Sequence, residues 1–169
     1  MADSYHHGNL RQALIDAGIK IINESGEESL SLRKVAAECN VSHAAPYAHF
    51  NSKEELIEAI KSSVTDQFME ELEAGVAECA TAEEAILAMG RTYLTFFSRN
   101  PDYFVFLFGK QNINAHLQMN KDYKNDYPPF VLLKRMYRLY LEEKGIEKSF
   151  EEQEIDLIKI WAMVHGMAS

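Results

Sequence analysis

Apolar residues recur at helical spacing along almost the whole chain. Leu10, Ala13, Leu14, Ala17, Ile21 and Ile22 follow the i, i+3, i+4, i+7 order of an amphipathic helix. Gly26 ends that pattern as a C-terminal glycine does. Ser31 is placed to cap a short second helix with Leu32, Val35 and Ala36 inward, and Asn40 breaks it. Ser42 then caps a third, very short helix ending near Phe50. Ser52 and Glu55 have the S-x-x-E spacing of a capping box. They open a long helix carrying Leu56, Ile57, Ile60, Val64, Phe68 and Leu72 along one side.

The same logic continues to the end. Thr81 and Glu84 make a second capping box ahead of Ala85, Met89, Tyr93, Phe96 and Phe97. Asn100-Pro101 closes one helix and opens the next, because proline suits a first helical turn. Residues 109–127 are polar and irregular, and a mobile loop is expected there. Pro128-Pro129 starts a helix that runs to Gly145 through Val131, Leu132, Met136, Leu139 and Tyr140. Ser149 and Glu152 form a third box before a last helix. No useful strand-like alternation interrupts this. The expected fold is all-α: a three-helix helix-turn-helix domain over 1–52, a connecting helix over 53–80, and a helical bundle over 81–169.

Composition narrows the classes. With 169 residues, 47% hydrophobic and 25% charged, the chain is an ordinary globular one, not a disordered or disulfide-scaffold sequence. No apolar run approaches a membrane span, and residues 1–9 carry no signal-peptide core. Cys39 and Cys79 lack metal-type spacing and are expected as reduced thiols in a cytoplasmic protein, Cys39 as a small buried hydrophobe. No metal site and no cofactor are expected. Adjacent His6 and His7 do not share a helix face; an N-terminal arm is their alternative reading. His116 and His165 are isolated and no acid pair or H-E-x-x-H appears, so an enzyme is not expected.

The net charge of −9 argues against a nucleic-acid binder over its whole surface, but not against a local patch. Residues 31–53 hold Arg33, Lys34 and Lys53 against Glu38. There the helix, tight turn and second helix fit a unit that enters a DNA major groove. Ala36 and Ala37 are small enough for a close helix crossing, Val41 turns inward, and Ser42 sits at a helix N-terminus suited to a phosphate. Ala44, Ala45 and Ala48 are short, while His43, Tyr47 and His49 supply polar tips.

The run LSLRKVAAECNVSHAAPYAHFNSKEELIEAI, with the helix before it, resembles the N-terminal domain of TetR/AcrR-type transcriptional regulators. Near the end, Trp161, His165 and Gly166 resemble the W-x-x-x-H-G signature of one regulatory-domain subgroup. The resemblance implies that Ser31, Arg33, Tyr47, His49 and Lys53 touch phosphates, and that His43, Ala44, Ala45 and also Tyr47 face base edges. Phosphate contacts would supply affinity and base-facing positions discrimination. Two departures stand out. The third helix has no Arg or Gln for a bidentate base contact. Pro46 replaces the more usual leucine, so a late or partly 3₁₀ helix with an altered docking angle is expected. Bland readings stay open beside these: Arg33 and Lys34 as solvated charges, Tyr47 as a core aromatic, Phe50 as core.

For the second part, the resemblance implies a ligand cavity among the many aromatics, most of which are core. Met89, Tyr93, Phe97, Phe104, Phe108, Met136, Trp161 and His165 are its candidate lining, with Met163 a further methionine nearby and a structural role for His165 the alternative. The last helix has a further apolar face, Ile155, Ile158, Trp161, Ala162, His165 and Gly166, open to a partner helix. Relatives dimerise through two C-terminal helices. Here the pattern runs to Ser169 without a stop signal, so either a tail is missing or the interface is reduced. The implied protein is a homodimeric, ligand-responsive repressor whose partners are double-stranded operator DNA and a small apolar effector, with no membrane. The rival readings are a degenerate member acting through protein partners and a helical enzyme or carrier.

Overall fold

The computed structural model describes residues 10–109, 119 and 126–169. His6, His7, His116 and most of the expected loop lie outside the described residues. Among the described residues the elements are α1 (Leu10–Ser25), α2 (Leu32–Glu38), α3 (Lys53–Ala77), α4 (Ala82–Arg99), α5 (Pro101–Phe108), α6 (Pro128–Lys144) and α7 (Phe150–Ala168), with 3₁₀ turns at Glu27–Ser29 and Ala45–Ala48. The chain divides into compact units Met1–Val64 and Thr65–Ser169. The division falls inside α3, within the segment expected to connect two domains.

In the first unit, Leu14, Val35, Ala36, Leu56, Ile60 and Val64 are wholly buried. α1 meets α3 at Gly18, where an added Cβ would lie 2.5 Å from Ile60 Cδ1. Ser31 caps α2 by accepting from the Lys34 N–H at 3.2 Å. Asn40 ends it in the left-handed region at φ 54°. Its N–H donates to the Ala37 carbonyl at 3.1 Å, and the Val41 N–H donates to the Ala36 carbonyl at 3.0 Å. These paired bonds form a Schellman stop, with asparagine where glycine is commoner. Ala37, expected at the helix crossing, is exposed, and only Ala36 is buried.

Two capping boxes at Thr81–Glu84 and Ser149–Glu152 close in both directions. The third closes only in part. Ser52 accepts from the Glu55 N–H at 3.3 Å, but the Glu55 carboxylate accepts from the Asn51 N–H at 2.7 Å and from the Asn51 amide at 2.9 Å.

The second unit is held by α4 against α6 and α7. The Glu143 carboxylate on α6 accepts from the Ala82 N–H at the start of α4, at 3.0 and 3.1 Å. A carboxylate there satisfies a free N–H and meets the positive helix end. Gly145 ends α6 at φ 62°. The Lys134–Asp126 ion pair, 3.3 Å apart, is almost completely sealed from solvent. Phe68, Tyr93, Phe96 and Phe97 form a ring cluster with centroids 4.9–5.6 Å apart. Removing such a ring costs about 3–5 kcal/mol. The inner face of α6 is Phe130, Leu132, Leu133, Met136 and Tyr137, all buried, whereas Val131 and Leu139, apolar positions of the same helix, are exposed.

Asp156 on α7 accepts from Lys148, from the Tyr137 hydroxyl at 2.7 Å and from Lys159 at 3.4 Å. Its carboxyl is held down to about 2, first by the Lys148 hydrogen bond and then by Tyr137. A depressed carboxyl stabilises the fold fully above its unfolded value near 4, and the contribution fades as pH falls towards 2. Asp156→Asn is expected to cost roughly 1 kcal/mol at pH 7, after discounting for partial exposure. Acid unfolding of the two proteins, followed by circular dichroism, should show this gap closing below about pH 4.

Candidate functional site

Two surfaces carry the candidate residues. The first is the segment between α2 and α3. The third element is not the nine-residue helix led by Ser42. The Ala45 N–H donates to the Ser42 carbonyl at 3.0 Å, and the regular turn is a 3₁₀ helix over Ala45–Ala48 with no side-chain cap. Pro46 explains the correction, since it has no N–H to donate back towards Ser42 or His43. The lateness expected from Pro46 is what the turn displays.

Pro46 and Phe50 are buried and anchor the turn against α2. The Arg11 guanidinium lies 5.3 Å over the Phe50 ring. Ser42, His43 and Ala44 are exposed, Ala45 and His49 are half-buried, and Tyr47 is 60% exposed. Arg33 is exposed on α2, and Ser31 is half-buried at its cap. Ser31 accepts the capping bond, so its own proton is free to donate. Lys53 is half-buried at the start of α3 and donates to the Glu27 carbonyl at 3.3 Å. Cys39 is buried with its Sγ 3.3 Å from the Ala13 carbonyl, and burial pushes its thiol up. Sequence reasoning missed Glu27, whose carbonyl fixes Lys53; no periodicity marks a backbone acceptor in a 3₁₀ turn.

The second surface is a cavity of about 750 Å³ within the second unit. Of the candidate lining residues it brings together Met89, Tyr93, Phe108, Trp161 and His165, and Met163 also lines it. Phe97 is sealed in the ring cluster and Met136 in the α6 core, neither on the cavity wall. Phe104 stands behind the wall, 4.8 Å from the His165 ring. Phe68, Leu72, Tyr127, Phe130 and Leu133 line it as well. Helical periodicity did not mark them as lining, because it does not separate a core face from a cavity face.

The cavity's polar chemistry is sparse. Tyr93 Oη and His165 Nδ1 are 2.8 Å apart and share a hydrogen bond. Trp161 stacks on His165 at 4.5 Å between centroids. Burial lowers the His165 pKa and raises those of Tyr93 and Tyr127, so all three are neutral near pH 7. Trp161 and His165 therefore turn towards the cavity, away from the outer apolar face on which they were expected. That outer face keeps Ile155, Ala162 and Gly166, all exposed, whereas Ile158, also exposed, joins the cavity lining. No group of three metal-ligating side chains occurs among the described residues. No helix there is long and apolar enough to cross a membrane.

Residues 14–60 match the family model of bacterial regulatory proteins, tetR family. The chain is 42% identical over 59 residues to the nicotine-responsive transcriptional repressor HdnoR of Paenarthrobacter nicotinovorans, covering 35% of this chain and 30% of that one. It is 30% identical over 73 residues to the fatty acid metabolism regulator protein of Bacillus subtilis, covering 43% and 38%. The chain thus spans well under half the length of these curated relatives. A Rhodococcus sp. RHA1 protein of unknown function superposes with a TM-score of 0.70 at 25% identity, covering 99% of this chain and 84% of that one. A TetR/AcrR-family regulator from Thermobifida fusca gives 0.67 at 17% identity over 95% and 85%, a likeness of fold.

Trp161 is the sole tryptophan, and its stacking makes His165 protonation visible. Imidazolium quenches indole emission. On acidification, Trp161 fluorescence is expected to fall through a midpoint below the ordinary histidine value of about 6.5. His165→Asn should abolish that transition; a midpoint above 6.5 would contradict the burial argument.

Proposed function

We propose that this chain is a homodimeric, ligand-responsive transcriptional repressor that acts on operator DNA in the cytoplasm. The observation that carries the reading is the outward strip from Ser42 to Tyr47, held from beneath by buried Pro46 and Phe50. Such a strip offers short side chains to a groove floor and polar tips to its walls. Ser31, Arg33, Tyr47, His49 and Lys53 contact phosphates, while His43, Ala44, Ala45 and also Tyr47 meet base edges. Lys53 would exchange the Glu27 carbonyl for a phosphate. Paired subunits would read half-sites about one helical turn apart.

The exposed stripe of Ile155, Ala162 and Gly166 supports pairing through α7, because small residues allow close backbone approach. The cavity supports an effector, and the Trp161–His165 pair on its wall accords with the W-x-x-x-H-G subgroup. Two relatives, a nicotine-responsive repressor and a fatty acid metabolism regulator, agree with effector control without identifying this chain's effector. A degenerate member acting through protein partners is the second reading, favoured by the lack of a long bidentate donor between 42 and 50.

Gel-shift titration against DNA upstream of the chain's own gene separates the two readings. Tyr47→Ala and Lys53→Ala are each expected to weaken binding about tenfold with unchanged circular dichroism, and Lys53→Ala to reduce the salt slope by about 1. Wild-type affinity in both variants would sink these roles, and salt-independent or absent binding would favour the protein-partner reading. Ala162→Arg is expected to yield monomers by light scattering and to lose cooperative operator binding.

A further inference from the structure

The Tyr93–His165 hydrogen bond decides which ring nitrogen of His165 carries a proton. Tyr93 is buried, and His165 Nδ1, 2.8 Å away, is the one partner of its hydroxyl among the described residues. A buried hydroxyl proton needs an acceptor, so Tyr93 donates and Nδ1 accepts. The acidities agree, since a phenol is the better donor and an imidazole nitrogen the better acceptor. Burial keeps His165 neutral near pH 7. A neutral imidazole has one ring proton, which therefore lies on Nε2. Nε2 has no hydrogen bond among the described residues and is not sealed, and His165 is half-buried on the cavity wall. Trp161 stacks on the ring at 4.5 Å and Phe104 lies tilted against it at 4.8 Å. A ring N–H donates in its own plane, so an acceptor must come to the open edge of the imidazole.

The rest of the wall offers no acceptor of comparable strength. Tyr127 Oη is sealed from solvent, with the Thr65 side chain as its partner. The Trp161 indole and the exposed Arg91 guanidinium only donate. No carboxylate lines the cavity among the described residues, so an ammonium group would enter without a counter-charge. A carboxylate at Nε2 would have to draw a second proton onto an imidazole that burial holds neutral.

We infer that Tyr93 holds His165 as its Nε2–H tautomer, and that this N–H is the directional donor by which the cavity selects an uncharged, largely apolar molecule with an acceptor oxygen of ketone or ester type. This deepens the effector reading above and rests on it. Tyr93 is a positioning residue: it sets whether His165 offers a proton or a lone pair. Specificity comes from that donor, because an analogue lacking the oxygen leaves it unpaired.

Two measurements on the full chain test this. Long-range proton–nitrogen NMR of isotope-labelled histidine, with His165 assigned through its contacts to Trp161, is expected to show a bare Nδ1 and a protonated Nε2 at neutral pH. Tyr93→Phe should turn that pattern into a mixture of tautomers, which a packing defect alone would not do. The opposite tautomer in the wild type, or an unchanged pattern in Tyr93→Phe, overturns the inference. Calorimetric titration then compares 1-acetylnaphthalene, 1-ethylnaphthalene and 1-naphthoate. The ketone is expected to bind about tenfold more tightly than the hydrocarbon, and the carboxylate more weakly than the ketone. His165→Phe should bring the ketone and hydrocarbon affinities together. A ketone preference that survives His165→Phe, which would assign the donor to Trp161, or naphthoate binding tightest, overturns the inference and leaves the cavity reading intact. If none of the three binds the wild-type chain, both fail together.

Discussion

The second unit depends on a hydroxyl that cannot be left alone. Tyr93 is buried within a cluster of rings, and its oxygen needs a partner. His165 provides it from α7, a separation of 72 residues along the chain. That bond fixes the rotation of α7 about its own axis. With His165 turned to Tyr93, Trp161 must stack on the cavity side, Leu157 and Val164 go into the core, and Ile155, Ala162 and Gly166 face outward. One polar contact thus sorts the helix into a ligand-facing edge, a core face and a face free to meet a partner. It also pairs the Tyr93 hydroxyl with His165 Nδ1 on a wall that is otherwise mostly apolar.

The first unit depends on a missing donor. Pro46 has no N–H, so an α-helix cannot be established across Ser42–Pro46, and the chain settles into 3₁₀ turns. The proline ring is itself buried, so the residue that breaks the helix also anchors it. A 3₁₀ turn spreads side chains at a different angular interval from an α-helix. The outward set here, Ser42, His43, Ala44 and Tyr47, is therefore spaced differently from that of a helix in a major groove. In the proposed role, discrimination would rest on His43 and alanine methyls, with affinity left to flanking phosphate contacts.

Much of this was legible in the sequence because local rules and tertiary packing agree. The capping boxes at Thr81 and Ser149, the stops at Gly26, Asn40 and Gly145, and the all-α fold follow from short-range chemistry that the folded chain has no reason to override. The rest depends on rotation or competition instead. Val131 and Leu139 share the helical period of the α6 core, yet a modest rotation places them outside. Ser52–Glu55 has the capping-box spacing, but Asn51 offers the carboxylate two donors at once. The TetR/AcrR likeness read at residues 30–60, with the helix before them, covers the region of the family match, whereas nothing in the spacing of Phe97 or Met136 could separate a side chain behind the cavity wall from one on it.

Coupling between the proposed sites must be a difference in affinity, since a ligand that binds two shapes equally shifts neither. α3 is the element on which such a difference could act. Its first turns bury Leu56 and Ile60 in the helix-turn-helix unit, and its later turns give Phe68 and Leu72 to the cavity wall. Both sets belong to α3, so in the proposed role a ligand against Phe68 would act on the helix that also carries Lys53. A coupling of ~1–3 kcal/mol is typical of such systems. That is comparable to one lost methyl-scale contact, so no large rearrangement of the cavity is required. What is required is that Phe68 and Leu72 pack differently against the ligand in the DNA-bound and free shapes. A ligand that merely fills space beside Leu133, on α6, would bind without signalling.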